Sequence, residues 1–187
     1  MNSTAKFILS STVKKQGRTE YYRMLQKVRD GELIQVRRGV YATAEQLSCN
    51  MIDIESIVPG GILCLWSAWN IYGLTTSMPQ AFHIAVKRNR RVSASPFPKM
   101  EIHYYTEKIL NLGVSKMTVD GITVNVYDVE KSVCDAVKFR NKVGMDVCAE
   151  IIGNYLERPD RNISKLMDYA KALRVSAILG KYLEVKL

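Results

Sequence analysis

Eight side chains in the amino-terminal part of the chain have types and spacings suited to holding duplex nucleic acid. Arg18, Thr19, Tyr22, Arg23, Gln26 and Lys27 recur at intervals that bring side chains to one face of a helix, and Arg37 and Arg38 follow shortly after. Arg and Gln carry hydrogen-bonding groups that match base edges, Thr suits a phosphate oxygen, and arginines beyond the helix add charge contacts to the backbone. A second basic group, Lys87, Arg88, Arg90 and Arg91, lies in a segment, 82–100, that contains no acid.

Residues for bond-breaking chemistry are harder to assemble. Glu184-Val185-Lys186 has the E-x-K form of a metal-dependent nuclease half-site, with Asp120 or Asp135 as the upstream carboxylate. Such cleavage needs acids converging on one Mg²⁺. Asp120 is better explained by its turn, and Asp135 by pairing with Lys131 or Lys138 along a helix. No nucleophile elbow, P-loop, H-E-x-x-H or dinucleotide glycine pattern occurs. The expectation is therefore no catalytic residue and no enzyme. Cys49, Cys64, Cys134 and Cys148 form no C-x-x-C pair, and His83 and His103 sit on strand-like segments away from any cysteine spacing. Structural zinc normally takes four Cys or His ligands, so neither metal nor cofactor is expected.

The positioning elements follow from the 187-residue chain, 47% apolar and 24% charged, which is ordinary globular composition. There are 27 Lys and Arg against 18 Asp and Glu, a net charge of +9. Residues 1–50 hold nine basic and four acidic side chains, and 82–100 hold five basic ones. Two local patches on a near-neutral body suit a polyanionic partner. Lys14-Lys15 follow the short Phe7-Ile8-Leu9, so no secretion signal is read here. The apolar run Ile62–Leu74 is too short to span a membrane and reads as a buried core helix. Reduced core thiols and a cytoplasmic location are the corresponding expectations.

Residues 5–15 read as a short helix ended near Gly17, with Thr19 as N-cap of a second helix over 18–30, whose buried stripe is Tyr21, Leu25 and Val28. Residues 32–36 and 40–42 read as a hairpin around Arg37-Arg38-Gly39, with Gly39 left-handed and two arginines at its tip. A polar segment over 43–50, a linker or the start of a helix, precedes apolar helices at 52–57 and 62–72. Trp66, Trp69 and Tyr72 read as core rather than an exposed interaction patch. Strands are expected at 81–87, 100–105, 114–119 and 122–127, the last two joined at Asp120-Gly121, then helices at 129–141, 145–156, 163–173 and 175–185, with Asp128 as an N-cap. The fold class is α+β: a short winged helix-turn-helix over 1–48, then an α+β domain over 49–187 with an antiparallel sheet and a helical C-terminal half.

The run Tyr21–Leu33 ending in Arg38-Gly39-Val40-Tyr41 resembles the winged-helix segment of AbiEi-type antitoxins. The resemblance continues through Leu65-Trp66-Ser67-Ala68, Tyr72-Gly73-Leu74-Thr75, Pro79 and His83–Val86, then Val126–Asp135 and Lys138–Gly144. It implies a bacterial antitoxin of a type IV toxin–antitoxin (phage abortive-infection) system. Such proteins bind operator repeats of their own promoter, and their C-terminal domain helps to neutralise a nucleotidyltransferase-like toxin. Helix 18–30 then becomes the recognition helix and 32–42 the wing, with double-stranded DNA and the neighbouring gene's toxin as partners and no membrane involved. One departure stands out: only about sixteen residues precede the second helix, where a full winged helix usually has three helices before its wing. The alternative is thus a clipped module that binds protein or RNA without DNA, the basic loop 87–91 meeting an acidic toxin or its RNA, and a metal-dependent nuclease ranks behind that.

Overall fold

The structure is a computed structural model that describes residues 6–48, 53–92 and 98–186. The chain divides into two compact units, one of Met1–Gly61, Arg91–Met100 and Lys116–Val124, the other of Ile62–Arg90, Glu101–Ser115 and Asn125–Leu187.

In the first unit β1 (Ile8–Leu9) leads into α1 (Ser10–Gln16), α2 (Arg18–Arg29), β2 (Ile34–Arg37), β3 (Val40–Ala42), α3 (Ala44–Ser48) and α4 (Ile54–Ile57). The expected first helix therefore starts late, because Ile8 and Leu9 pair antiparallel with Tyr41 and Val40 instead. β3 lies between β1 and β2 in a three-stranded sheet. The register of β2 shifts between Gln35 and Arg37. That bulge lets Val36 reach the core at 2% exposure. Met24, Leu33 and Tyr41 form the local core, with Ile8, Val13, Tyr21, Leu25 and Val28 packed against it.

One terminator differs from expectation. Gly17, not Thr19, is the N-cap of α2, and its φ of 135° and ψ of 162° let the chain turn between two helices with no spare residue. That region is essentially restricted to glycine. Of the two readings of 43–50 the helix holds, as α3, and Thr43 and Gln46 close a capping box, with Thr43 N–H donating to Gln46 Oε1 (2.9 Å) and Gln46 N–H to Thr43 Oγ1 (3.2 Å).

The chain continues through β4 (Ile62–Leu63), α5 (Leu65–Ile71), β5 (Phe82–Lys87), β6 (Met100–Tyr105), α6 (Glu107–Leu110), β7 (Val114–Val119) and β8 (Ile122–Tyr127). Four helices follow: α7 (Val129–Val143), α8 (Met145–Leu156), α9 (Ile163–Leu173) and α10 (Ser176–Lys186). The fold class is α+β. The five-stranded sheet runs β6-β5-β4-β8-β7, and it is mixed, not antiparallel as expected: β4 is antiparallel to β5 but parallel to β8. The discrepancy begins at Ile62–Leu63, whose side chains are 5% and 0% exposed and which pair on both sides. A short, fully buried strand and a buried helix look alike as apolar runs, and the break at Leu65 (φ 47°) is invisible in composition.

The main core of the second unit gathers Leu65, Trp69, Leu74, Tyr127, Val133, Ile151, Tyr155, Leu166 and Leu179 around α7. The Trp69 indole N–H donates to the Ser132 carbonyl (2.9 Å), so the tryptophan is core, as its spacing suggested. Asp128 caps α7, accepting from Lys131 N–H at 2.9 Å. Among the described residues no helix is long and apolar enough to cross a membrane.

Candidate nucleic-acid interface

Amphipathicity decides which face of α2 turns outward. Met24 is buried, while Tyr21, Leu25 and Val28 pack around it half-buried, so the side chains a third of a turn away must meet solvent. Arg18, Thr19, Arg23, Gln26 and Lys27 are all exposed, and Tyr22 is 53% exposed. The guanidinium of Arg18 lies over the Tyr22 ring at 5.9 Å, and Lys14 Nζ lies over Tyr21 at 4.7 Å. Two acids temper this face: Glu20 pairs with Arg23, and Glu32 approaches Lys27 at 4.0 Å. All four groups are solvent-exposed, so these pairs exchange readily for a stronger anion.

The two hairpin arginines separate. Arg37 is the last residue of β2 rather than part of the turn, and its Nε and one Nη donate to the Ser56 carbonyl at 3.2 and 2.9 Å. Ser56 lies in the last turn of α4, where carbonyls lack helical partners, and the cation satisfies one of them. α4 is held in turn by Asp53, which caps it through Ser56 N–H (3.2 Å) and receives Phe7 N–H (3.2 Å). Arg38 stays exposed. Gly39 takes the left-handed φ of 82° that the turn was expected to need, and Ser10 N–H donates to its carbonyl at 2.9 Å. A Cβ there would sit 3.2 Å from Ser10 Oγ, so both conformation and space favour glycine.

In the second basic group, Lys87 pairs with Glu107 at 2.9 Å, both groups being exposed. Arg88 and Arg91 are exposed and Arg90 is half-buried, its N–H donating to the Lys87 carbonyl at 2.9 Å in a tight turn. Lys87, Arg88 and Arg90 belong to the second unit and Arg91 to the first.

The carboxylates named for hydrolysis do not share a site within either unit. Asp135 is fully buried and both of its oxygens accept from Lys131 Nζ, at 2.7 and 2.6 Å. The Lys131 ammonium also lies 4.1 Å from the Tyr127 ring. Burial pushes the Asp135 carboxyl up and the adjacent ammonium acts against it. Asp120 is exposed in the β7–β8 turn of the first unit. Glu184 is exposed on α10, and the side chain of Lys186 lies outside the described set, as does Cys49. Cys64, Cys134 and Cys148 are buried free thiols, and burial raises all three.

Side chains that the sequence reading set aside do come together in the second unit. His83 on β5 and Glu101 and His103 on β6 place their donor atoms within 4.8 Å of one another, the one grouping of metal-binding type found among the described residues. The legible signal was the i, i+2 spacing of Glu101 and His103, which puts both on one face of a strand. The adjacency of β5 and β6 is a tertiary fact. Compared with family models and with curated proteins, the chain matches none.

Proposed function

We propose that this chain is a type IV antitoxin of the AbiEi kind, which binds the repeats of its own promoter through residues 18–42 and counteracts a nucleotidyltransferase-like toxin encoded beside it. The observation that carries the reading is the outward face of α2, where Arg18, Thr19, Tyr22, Arg23, Gln26 and Lys27 are all exposed. At 1.5 Å per residue a helix of that length runs about 18 Å, enough to lie along a major groove about 12 Å wide. The chain path supports a winged helix-turn-helix: two helices follow β1, a hairpin follows them, and β3 sits between β1 and β2. In this reading α2 meets base edges, Thr19 and Lys27 meet phosphates, and Arg38 is the wing cation. Arg37 acts indirectly by tying β2 to α4. The sequence resemblance supplies the antitoxin role and the toxin class.

Binding of the full chain to its upstream intergenic DNA, followed by fluorescence anisotropy across a salt series, tests the operator role. The expected log K falls by about 0.9 per log unit of salt for each phosphate contacted. Equal affinity for unrelated duplex would remove it. Growth on co-expression with the neighbouring gene tests the antitoxin role, which fails if arrest persists.

A second reading, a module that docks protein or RNA, draws on Tyr22 and Ile34, whose large side chains are 53% and 43% exposed in the same unit. It expects no shift of duplex DNA and co-purification with the toxin.

A further inference from the structure

We infer that His83, Glu101 and His103 form a site for one divalent transition-metal ion of the Zn²⁺ class. All three belong to the second unit, on β5 and β6, which are neighbours in the five-stranded sheet. His83 Nδ1 lies 3.0 Å from His103 Nε2 and 3.7 Å from Glu101 Oε2. The two imidazole planes are 13° from parallel, with centroids 5.2 Å apart. With metal–nitrogen bonds of about 2.0–2.1 Å, two imidazole ligands at a right angle stand about 2.9 Å apart and at a tetrahedral angle about 3.4 Å. The observed 3.0 Å lies between these two values, so a shift of a few tenths of an ångström brings the pair to tetrahedral spacing.

Without an ion, one ring nitrogen must carry a proton to bridge the gap. A metal replaces that proton, releases it to solvent and takes both lone pairs, with the carboxylate as a third ligand. His83 is the fixed member: its ring is buried, its backbone N–H donates to Ser67 Oγ at 2.9 Å and its backbone carbonyl accepts from Cys64 N–H at 3.0 Å. His103 is half-buried with Phe139 6.5 Å away, and Glu101 is 54% exposed at its side chain, so these two can swing to close on the ion. Two imidazoles and a carboxylate are a borderline-soft donor set that favours Zn²⁺, Ni²⁺, Co²⁺ or Cu²⁺ over Mg²⁺ or Ca²⁺. Three protein ligands leave at least one position for water on the exposed Glu101 side. β6 is an edge strand, and the ion ties it to the strand beside it.

The chain contains only two histidines, which makes the test direct. Chelator-treated full-length protein is titrated with Zn²⁺ by calorimetry and with Co²⁺ by visible absorption, and imidazole ¹⁵N shifts are recorded with and without Zn²⁺. The expected result is one equivalent bound per chain, a Co²⁺ ligand-field band, and movement of both ring systems. His103→Gln and Glu101→Gln should each weaken binding by about tenfold or more, since even groups that only support a ligand are worth about 10–100-fold. Glu101→Gln alters an exposed side chain and keeps the fold, so a folding defect in His103→Gln leaves the test intact. No saturable binding by the unaltered protein overturns the inference. So does binding that survives unchanged in the Glu101→Gln, His103→Gln double variant, which would locate the ion elsewhere.

Discussion

At Arg37 the guanidinium gives two donors to the Ser56 carbonyl, while the next residue carries its charge in solvent. Replacing them should therefore have different effects. Arg37→Ala is expected to lower stability by about 1–2 kcal/mol, since a charge-assisted, half-buried bond is lost. Arg38→Ala should leave the melting midpoint nearly unchanged and reduce the salt slope of DNA binding by about one. Chemical denaturation and anisotropy on both variants separate these outcomes; a lowered salt slope with intact stability in Arg37→Ala would reverse the assignment. The second residue-scale case is Lys131 and Asp135, each with a fully buried side chain. Lys131→Met strands a buried carboxylate and should cost about 3–5 kcal/mol. A paired Lys131→Met, Asp135→Leu change should recover most of that loss, and a double-mutant cycle by urea unfolding measures it. The i, i+4 spacing made this pair legible. Its burial was not, because a lysine with no exposed surface contradicts the usual behaviour of its type.

Elements were read most securely where sequence and local physics agree. α2, α7, α8 and α9 appear close to their expected bounds because each has a long apolar stripe and a clear stop. Asp128 illustrates the caps: besides Lys131 N–H it accepts from Tyr169 Oη at 3.1 Å and Lys165 Nζ at 3.0 Å. Asp128→Ala should cost about 1–2 kcal/mol through the cap alone, with loss of the other two bonds adding to it. Asn at that position should restore part of the loss in the same thermal unfolding assay. Gly17 is the converse, a position where no contact decides anything: a Cβ there would meet nothing within 4 Å. Its backbone angles still make Gly17→Ala unfavourable by about 1–3 kcal/mol, and an unchanged midpoint in that variant would show the turn relaxing. The apolar stretch after Gly61 reads as one helix, and α5 bears out most of it, but Ile62–Leu63 forms a strand because a short segment buried on every side carries no periodicity.

For the molecule as a whole, acid stability is where one long-range contact shows itself. Glu150 on α8 accepts from Thr76 N–H at 2.9 Å, Thr76 Oγ1 at 3.1 Å and Thr75 Oγ1 at 3.0 Å, bonds that hold its carboxyl below its ordinary value of 4.5. Between that value and the lower folded one, the unfolded chain binds more protons than the native chain. The contribution is thus complete above about pH 4.5 and is lost as the pH falls through the folded value. Glu150→Gln should lower stability at neutral pH and flatten the acid limb of a stability–pH curve, the variant approaching the unaltered protein as the pH falls below the folded value. An acid limb parallel to that of the unaltered protein would exclude this contact as a source.

The residues by themselves determined the α+β class, the outward basic face of α2, the left-handed glycine in the hairpin and the helical carboxyl-terminal half. All of these depend on neighbours within a few positions, where periodicity, capping and turn chemistry act. Only the tertiary structure decided that Arg37 is spent on Ser56, that β4 runs parallel to β8, and that two histidines from different strands face each other across 3.0 Å. Those facts depend on which distant segments share a sheet or a unit. Pairing between strands distant in the chain, such as β4 with β8, is set by the packing of the core, because no turn joins them to carry a local signal.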